Sequence, residues 1–280
     1  MKHVAILTHE HDDFDREDYL LGEMAVCWRE NGIRVTVVSG PDANVDADIA
    51  VLHVDLTVMP KRYLEAARRY PRVINGRVTS IAKRAISSHR LSLGDSYPGP
   101  VIVKTNRNTG GMREHEILRR ESGLSWYAGA LRNRCPWPLR SRIHWRHYPI
   151  FDTIGQVPRV AWYNPDLIVE RFLPERSGEL YCLRTWVFFG DRESNSLSYS
   201  TSPIIKSENV IRREQLPEVP VELRRMREQL GFDYGKFDYG IVDGRAVLYD
   251  ANRTPTLGRL NREAYRPRAR ELSQGISSFQ

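Results

Sequence analysis

Apolar, β-branched runs at residues 2–8, 34–39 and 48–54 alternate with an amphipathic stretch at 19–31, and Gly32 stands where that helix has to end. Strand, helix and strand in this order predict a βαβ unit, which the third run extends to a small parallel sheet. Helical spacing returns at 60–69. Val73-Ile74-Asn75-Gly76 then reads as a strand and turn, and Thr79-Ser80 opens a further helix with a hydroxyl in capping position. Later β-rich runs occupy 100–104, 167–173 and 181–190. Between 122 and 158, Trp, Pro and Arg follow no regular period, and the pattern assigns no element there. The fold class is α/β. A chain of 280 residues, 41% of them hydrophobic, buries enough surface for two or three lobes. No internal repeat points to a solenoid.

Two segments carry chemistry. Residues 235–252 read as two short strands joined at Asp243-Gly244, a strong hairpin signal. Asp238 and Asp250 then lie on facing arms, where two carboxylates repel unless one is protonated or a cation sits between them. The amide oxygen of Asn252 makes the set all-oxygen, which predicts a hard cation, magnesium. Upstream, the strand at 100–104 ends in Lys104. A polar turn follows, whose Thr109, Gly110 and Gly111 let backbone N–H groups approach an anion. Read alone, this turn is either a phosphate cradle or a plain connection. Arg184, in an aromatic and β-branched strand, is either paired to a carboxylate or holds a ligand anion. His9-Glu10-His11-Asp12-Asp13 reads as a polar loop at a strand end rather than a metal site, since no further ligand cluster completes it in sequence.

The strand with Lys104, the run 167–175, the strand 181–190 and the hairpin with Asp238 and Asp250-x-Asn252 follow the order found in ATP-grasp enzymes. The chain resembles that superfamily over most of its length, and most closely the branch of ribosomal-protein glutamate ligases and glutathione synthetases. The resemblance implies an ATP-grasp fold: a small Rossmann-like parallel-sheet domain at 1–86, then two α/β lobes at 87–166 and 167–280 that enclose ATP. It implies an ATP- and magnesium-dependent ligase that activates a carboxylate as an acyl phosphate and joins it to an amine. Lys104 is then expected on the nucleotide phosphates, with Lys83 or Arg84 beside it, and Thr109, Gly110 and Gly111 form a lid. Val169, Glu170 and Phe172 lie on the link that meets adenine, with Val169 and Phe172 as core residues the alternative. Glu175 or Glu179 takes the ribose hydroxyls. Arg184 and Lys206 are the catalytic candidates at the transferred phosphate or the acceptor, and Asp238, Asp250 and Asn252 hold the metal. Arg253 and Thr254 face the acceptor, as do His9 and Asp12. Two positions depart from the family pattern: Cys182 stands where an acidic residue is common, and Asp250 where Glu is.

Composition adjusts this picture. The net charge of +7 is spread among many arginines, so a solvated face outweighs a polyanion site, and nucleic acid is not an expected partner. Basic residues around the presumed cleft favour an acidic small-molecule or peptide acceptor. Cys27, Cys135 and Cys182 are odd in number and lack metal-like spacing, as expected of reduced thiols without a catalytic role. With no long apolar run and an N-terminus too short and too soon acidic for a signal peptide, the expected location is cytoplasmic and no membrane partner is expected. Relatives of this kind form homodimers, but no heptad marks an interface here. A kinase or a non-catalytic ATP-binding protein would carry the same ATP and metal residues, and only the acceptor separates them from a ligase.

Overall fold

The computed structural model describes residues 3–121, 123–257 and 262–279, with the side chains at 118 and 123–126 left aside. Lys2 and Ser122, at the heads of two segments read from the sequence, lie outside the described residues. The N-terminal sheet has β1 (His3–Thr8), α1 (Leu20–Glu30), β2 (Arg34–Ser39), β3 (Ile49–Leu52), α2 (Lys61–Ala67) and β4 (Val73–Ile74). Its strands run parallel in the order β2-β1-β3-β4. Alternation along β1 feeds two cores: Val4 and Ile6 pack with Leu21, Met24 and Trp28 of α1, while Ala5 and Leu7 pack with Tyr63 and Ala66 of α2. Gly32 ends α1 with φ 77°, as read.

The second group comprises α3 (Lys83–Ile86), β5 (Val101–Thr105), α4 (Met112–Glu121), α5 (Gly123–Arg132), β6 (Ile150–Phe151), α6 (Arg159–Tyr163) and β7 (Leu167–Arg171). Its antiparallel sheet has the order β6-β5-β7. The strand expected to open the second lobe therefore pairs with β5, Val103 opposite Val169, and the change of sheet falls after Arg171. The aperiodic stretch holds α5, short 3-10 turns and β6. These are too brief to show a period.

The third sheet is built from β8 (Glu175–Ser177), β9 (Leu180–Phe189), β10 (Arg192–Ser200), β11 (Arg212–Leu216), β12 (Tyr234–Val242) and β13 (Arg245–Asn252), with α7 (Val221–Leu230) before β12 and α8 (Arg262–Ser273) after β13. The order is β11-β10-β9-β12-β13, all antiparallel, and β8 pairs with the start of β9. One face buries Trp186, Phe188, Phe237 and Tyr239 with Leu223 of α7. The other face carries Val187 and Phe189 into the core shared with α1 and α8. Asp243 and Gly244 both take positive φ, 50° and 74°, as a tight hairpin turn requires. Cys27 and Cys182 are buried, and none of the three cysteines is in a disulfide. Among the described residues no helix is long and apolar enough to cross a membrane.

Two buried side chains tie the N-terminal sheet to the large one. Asn75, in the left-handed conformation after β4, donates to Tyr234 O and accepts from the N–H groups of Asp233 and Tyr234. Arg253, 0% exposed, follows β13 and donates to Val78 O, Leu56 O and Thr57 O. Arg253→Met keeps the bulk of the stem but takes the donor from Val78 O and Leu56 O, each costing about 1–3 kcal/mol, while Thr57 O keeps the Ile81 N–H. Thermal denaturation should show a loss of at least about 2 kcal/mol, and an unchanged Tm would contradict the clamp.

Candidate active site

A cavity of about 1180 Å³ opens between the β5–β7 sheet and the face of the large sheet that carries Thr185 and Val187. It is large for a single small ligand and roomy enough for a nucleotide and an acceptor together. Ile102 and Lys104 of β5, the turn Asn108 to Gly110, and Phe172 and Leu173 line one end. Asp238 and Asp250 lie on its floor, and Arg213, Tyr265 and Arg268 line the other end.

The floor is a row across the sheet. Ser196 lies opposite Thr185, Thr185 opposite Asp238, and Asp238 opposite Asp250, each on a neighbouring strand. The register shifts between Asp238 and Tyr239, so β13 carries one extra residue, Tyr249. That bulge lets Tyr249 and Asp250, neighbours in sequence, both reach the cavity. Tyr249 donates to Leu173 O at 2.6 Å. Its ring passes so near Gly240 that a β-carbon there would lie 2.1 Å from the hydroxyl.

Both carboxylates are held by lysines. Lys83 Nζ is 3.1 Å from Asp250 Oδ1, and Lys236 Nζ is 2.9 Å from Asp238 Oδ2, whose other oxygen accepts from the Thr185 hydroxyl at 2.9 Å. Burial alone would raise the pKa of Asp250, but Lys83 and then Lys206 outweigh it and hold the carboxyl below its ordinary range. Burial would lower Lys83 and Lys236, yet Asp250 and Asp238 hold both above the usual lysine range. Lys206 meets the cavity's solvent, but the surrounding protein desolvates it enough to push its pKa down despite Asp238 and Asp250. Lys104 is paired at 2.6 Å with Glu170, which is 0% exposed and has His89 Nε2 at 3.5 Å. Burial would raise Glu170, and Lys104 and His89 together more than reverse it. With Glu170 offsetting Lys104, three lysines face two aspartates, an excess of positive charge that suits a polyphosphate.

Of the residues singled out in the sequence, Lys104, Thr109, Gly110, Phe172, Lys206, Asp238, Asp250 and Asn252 line this cavity. Lys83 lines it too. Arg84 instead donates to Asn164 O and Leu167 O. The turn at Thr109, Gly110 and Gly111 runs through three consecutive positive φ values, but Gly111 is covered by the stems of Arg107 and Arg142. Val169 and Glu170 lie within β7, and the Phe172 N–H already donates to Pro100 O. The Asn252 amide oxygen accepts from the N–H and hydroxyl of Thr254, which leaves the two aspartates as the oxygens facing the cavity.

Several expectations need correction. Arg184 shares a face with Trp186 and Phe188, so alternation turns it from the cavity, and its guanidinium pairs with Glu175 at 2.8 Å. Glu175 also accepts from Ile241 N–H at 2.7 Å, so neither residue is on the cavity wall. Glu179 lies exposed in the β8–β9 turn. Arg253 and Thr254 are consumed by internal bonds, Thr254 to Asp55 at 2.7 Å. His9 is buried, and α4 brings Glu121 to it, so His9, Glu10 and Glu121 offer ligand atoms within 4.8 Å of one another. Arg62 already bridges the two glutamates there, 2.5 and 3.5 Å away. Asp12 is bound by Arg113 and Tyr19. Lys236 and Thr185 went unassigned in the sequence. Lys236 was legible in principle, since two residues before Asp238 on a strand is the same face.

The loop holding Asp12 gives a pH prediction. Burial raises the Asp12 carboxyl to about 6 against the pull of Arg113, with Tyr19 donating to it and Asp55 and Glu17 adding negative charge. Between its ordinary value near 4 and about 6, the folded state binds more proton than the unfolded one, so this group lowers stability as pH rises. The Tm of Asp12→Asn relative to wild type should therefore climb from pH 4.5 to 7. A flat or falling difference would contradict the assignment.

No protein-family model and no curated protein sequence matches this chain. Solved structures do. A RimK domain ATP-grasp protein from Sphaerobacter thermophilus superposes at TM-score 0.52 with 14% identity, covering 99% of this chain and 98% of that one. The ATP-grasp ligase PsnB, complexed with its minimal precursor, gives TM-score 0.52 and 10% identity over 100% of both chains. The D-alanine–D-alanine ligase of Bacillus anthracis complexed with ATP gives TM-score 0.50 and 13% identity, covering 100% and 96%. At such low identity the likeness speaks for the fold, and the chain has the ATP-grasp fold.

Proposed function

We propose that this protein is an ATP-dependent carboxylate–amine ligase, with its site in the cavity between the two sheets. The observation that carries the reading is the register-paired Asp238 and Asp250 among Lys83, Lys206 and Lys236, with Lys104 nearby, in a chain of ATP-grasp fold. Solved neighbours of that fold include a ligase complexed with ATP and one complexed with a minimal precursor.

In this reading the adenine lies at the end near Ile102, Phe172 and Leu173, and the triphosphate runs toward the lysines. Lys104, oriented by Glu170, and Lys83 take phosphate charge as compact cations. The Thr109 and Gly110 backbone closes over the phosphates. Asp238 and Asp250, two oxygen ligands on facing strands with Asn252 beside them, fit a hard divalent cation. Magnesium bound there would neutralise the phosphates and polarise the transferred group. Lys206 faces the acceptor carboxylate. A carboxylate oxygen attacks the γ-phosphorus, the bond to the β-bridging oxygen breaks, and ADP leaves with an acyl phosphate formed. An amine then attacks the acyl carbon and expels phosphate, and the ammonium proton passes to solvent, giving an amide.

Incubation with Mg-ATP, pooled carboxylic acids and hydroxylamine should give ADP and a hydroxamate, read by mass spectrometry. A phosphorylated product inert to hydroxylamine would replace the ligase with a kinase. Asp250→Asn should keep the wild-type Tm within a few degrees while lowering turnover on the order of a thousandfold, the weight of several kcal/mol of charge stabilisation. Near wild-type turnover in that variant would defeat the metal assignment.

A further inference from the structure

The arginines of α8 divide by partner. Arg262 lies near Asp18 and Glu23, and Arg266 and Arg270 both pair with Glu30. Arg268 lines the cavity instead, stacked near the Tyr265 ring at 5.4 Å, and its Nε and Nη2 are buried without a hydrogen-bond partner. Across the cavity end, Arg213 of β11 lies opposite Ser198 of β10 and donates to its hydroxyl at 3.0 Å. Burial pushes the Arg268 guanidinium down, helped by the charge of Arg213 and opposed by Tyr265 and, more weakly, Glu271. Among the described residues neither arginine has a carboxylate within ion-pair distance. A guanidinium buried as Arg268 is, with a second cation near it and no ion-paired counter-ion, is costly, and an anion placed between it and the exposed Arg213 relieves that cost.

The remaining polar groups at this end suit such an anion. Ser196 and Ser198 line the same wall, and guanidinium forks bind carboxylate or phosphate oxygens in pairs. Arg213 stands three strands from Asp238 and two residues along β11 from that row, about 14 Å across and about 7 Å along at the usual strand spacing and rise, or about 16 Å in all. Less the reach of the side chains, this leaves a span of several carbon–carbon bonds between the reacting point and the arginines.

We infer that Arg213 and Arg268 bind a second anionic group of the acceptor, so that the acid activated at Asp238 and Asp250 is a dianion, carrying a carboxylate or phosphate at its far end. This rests on the ligase reading for the position of the reacting carboxylate. It makes the arginine end of the cavity a ruler that selects substrates by charge and length.

Calorimetric titration with Mg-AMP-PNP present tests it, with succinate, glutarate, adipate and 3-phosphonopropionate as probes and propionate and butyrate as monoanion controls. Wild type should bind at least one dianion tenfold or more tightly than the monoanions, and the tighter of the carboxylate and phosphonate arms names the group. Arg268→Met and Arg213→Met should each remove that preference while the affinity for Mg-AMP-PNP stays within twofold. Nucleotide binding without any dianion preference in wild type, or a preference that survives in the double variant, would overturn the inference and leave the ligase reading standing. A dianion preference that needs both arginines, in a protein that binds no nucleotide, would support the subsite and remove the ligase reading.

Discussion

The cavity depends on one constraint: two carboxylates, Asp238 and Asp250, locked opposite each other by the pairing of β12 with β13. Directly opposed side chains stand about 5 Å apart at their β-carbons. At that separation two negative charges cost about 3 kcal/mol at an effective dielectric of about 20. The tight Asp243-Gly244 turn and the buried aromatic face beneath the hairpin leave the strands no freedom to slip away from this repulsion. Compensation has to come from cations, and the structure supplies Lys83 from α3 and Lys236 from the same strand. The positions of α3, of the loop bearing Lys206 and of the lysine on β5 all make sense as answers to that pair.

The same logic separates structural from chemical charge. Arg184 and Glu175 satisfy each other on the far side of the sheet, and Arg253 is spent on three carbonyls. Both are charged, but both are consumed in joining elements. Lys83, Lys104, Lys206 and Lys236 keep their ammonium groups on the cavity, where compact cations serve a polyphosphate well.

Much of this was legible in the sequence, for physical reasons. The βαβ start is written in two periodicities, and the hairpin in a turn that tolerates positive φ with alternating arms. What stayed hidden depended on long-range contacts. That Arg184 turns from the cavity follows from strand phase, which the presence of Trp186 and Phe188 on the α7 face fixes only once the sheet is assembled. That β7 joins β5 rather than β9 is a pairing choice with no local signature. The bulge that brings Tyr249 beside Asp250 has none either, and Glu121 reaches His9 only because α4 meets the loops that follow β1 and β3.

If the paired aspartates hold a divalent cation, as proposed, nucleotide binding depends on that cation. Calorimetric titration of the wild-type chain with AMP-PNP, with and without magnesium, tests this most directly. Affinity should be at least tenfold higher with magnesium, a difference lost in Asp250→Asn. Equal affinity with and without the cation, or a magnesium effect that survives in that variant, would contradict it.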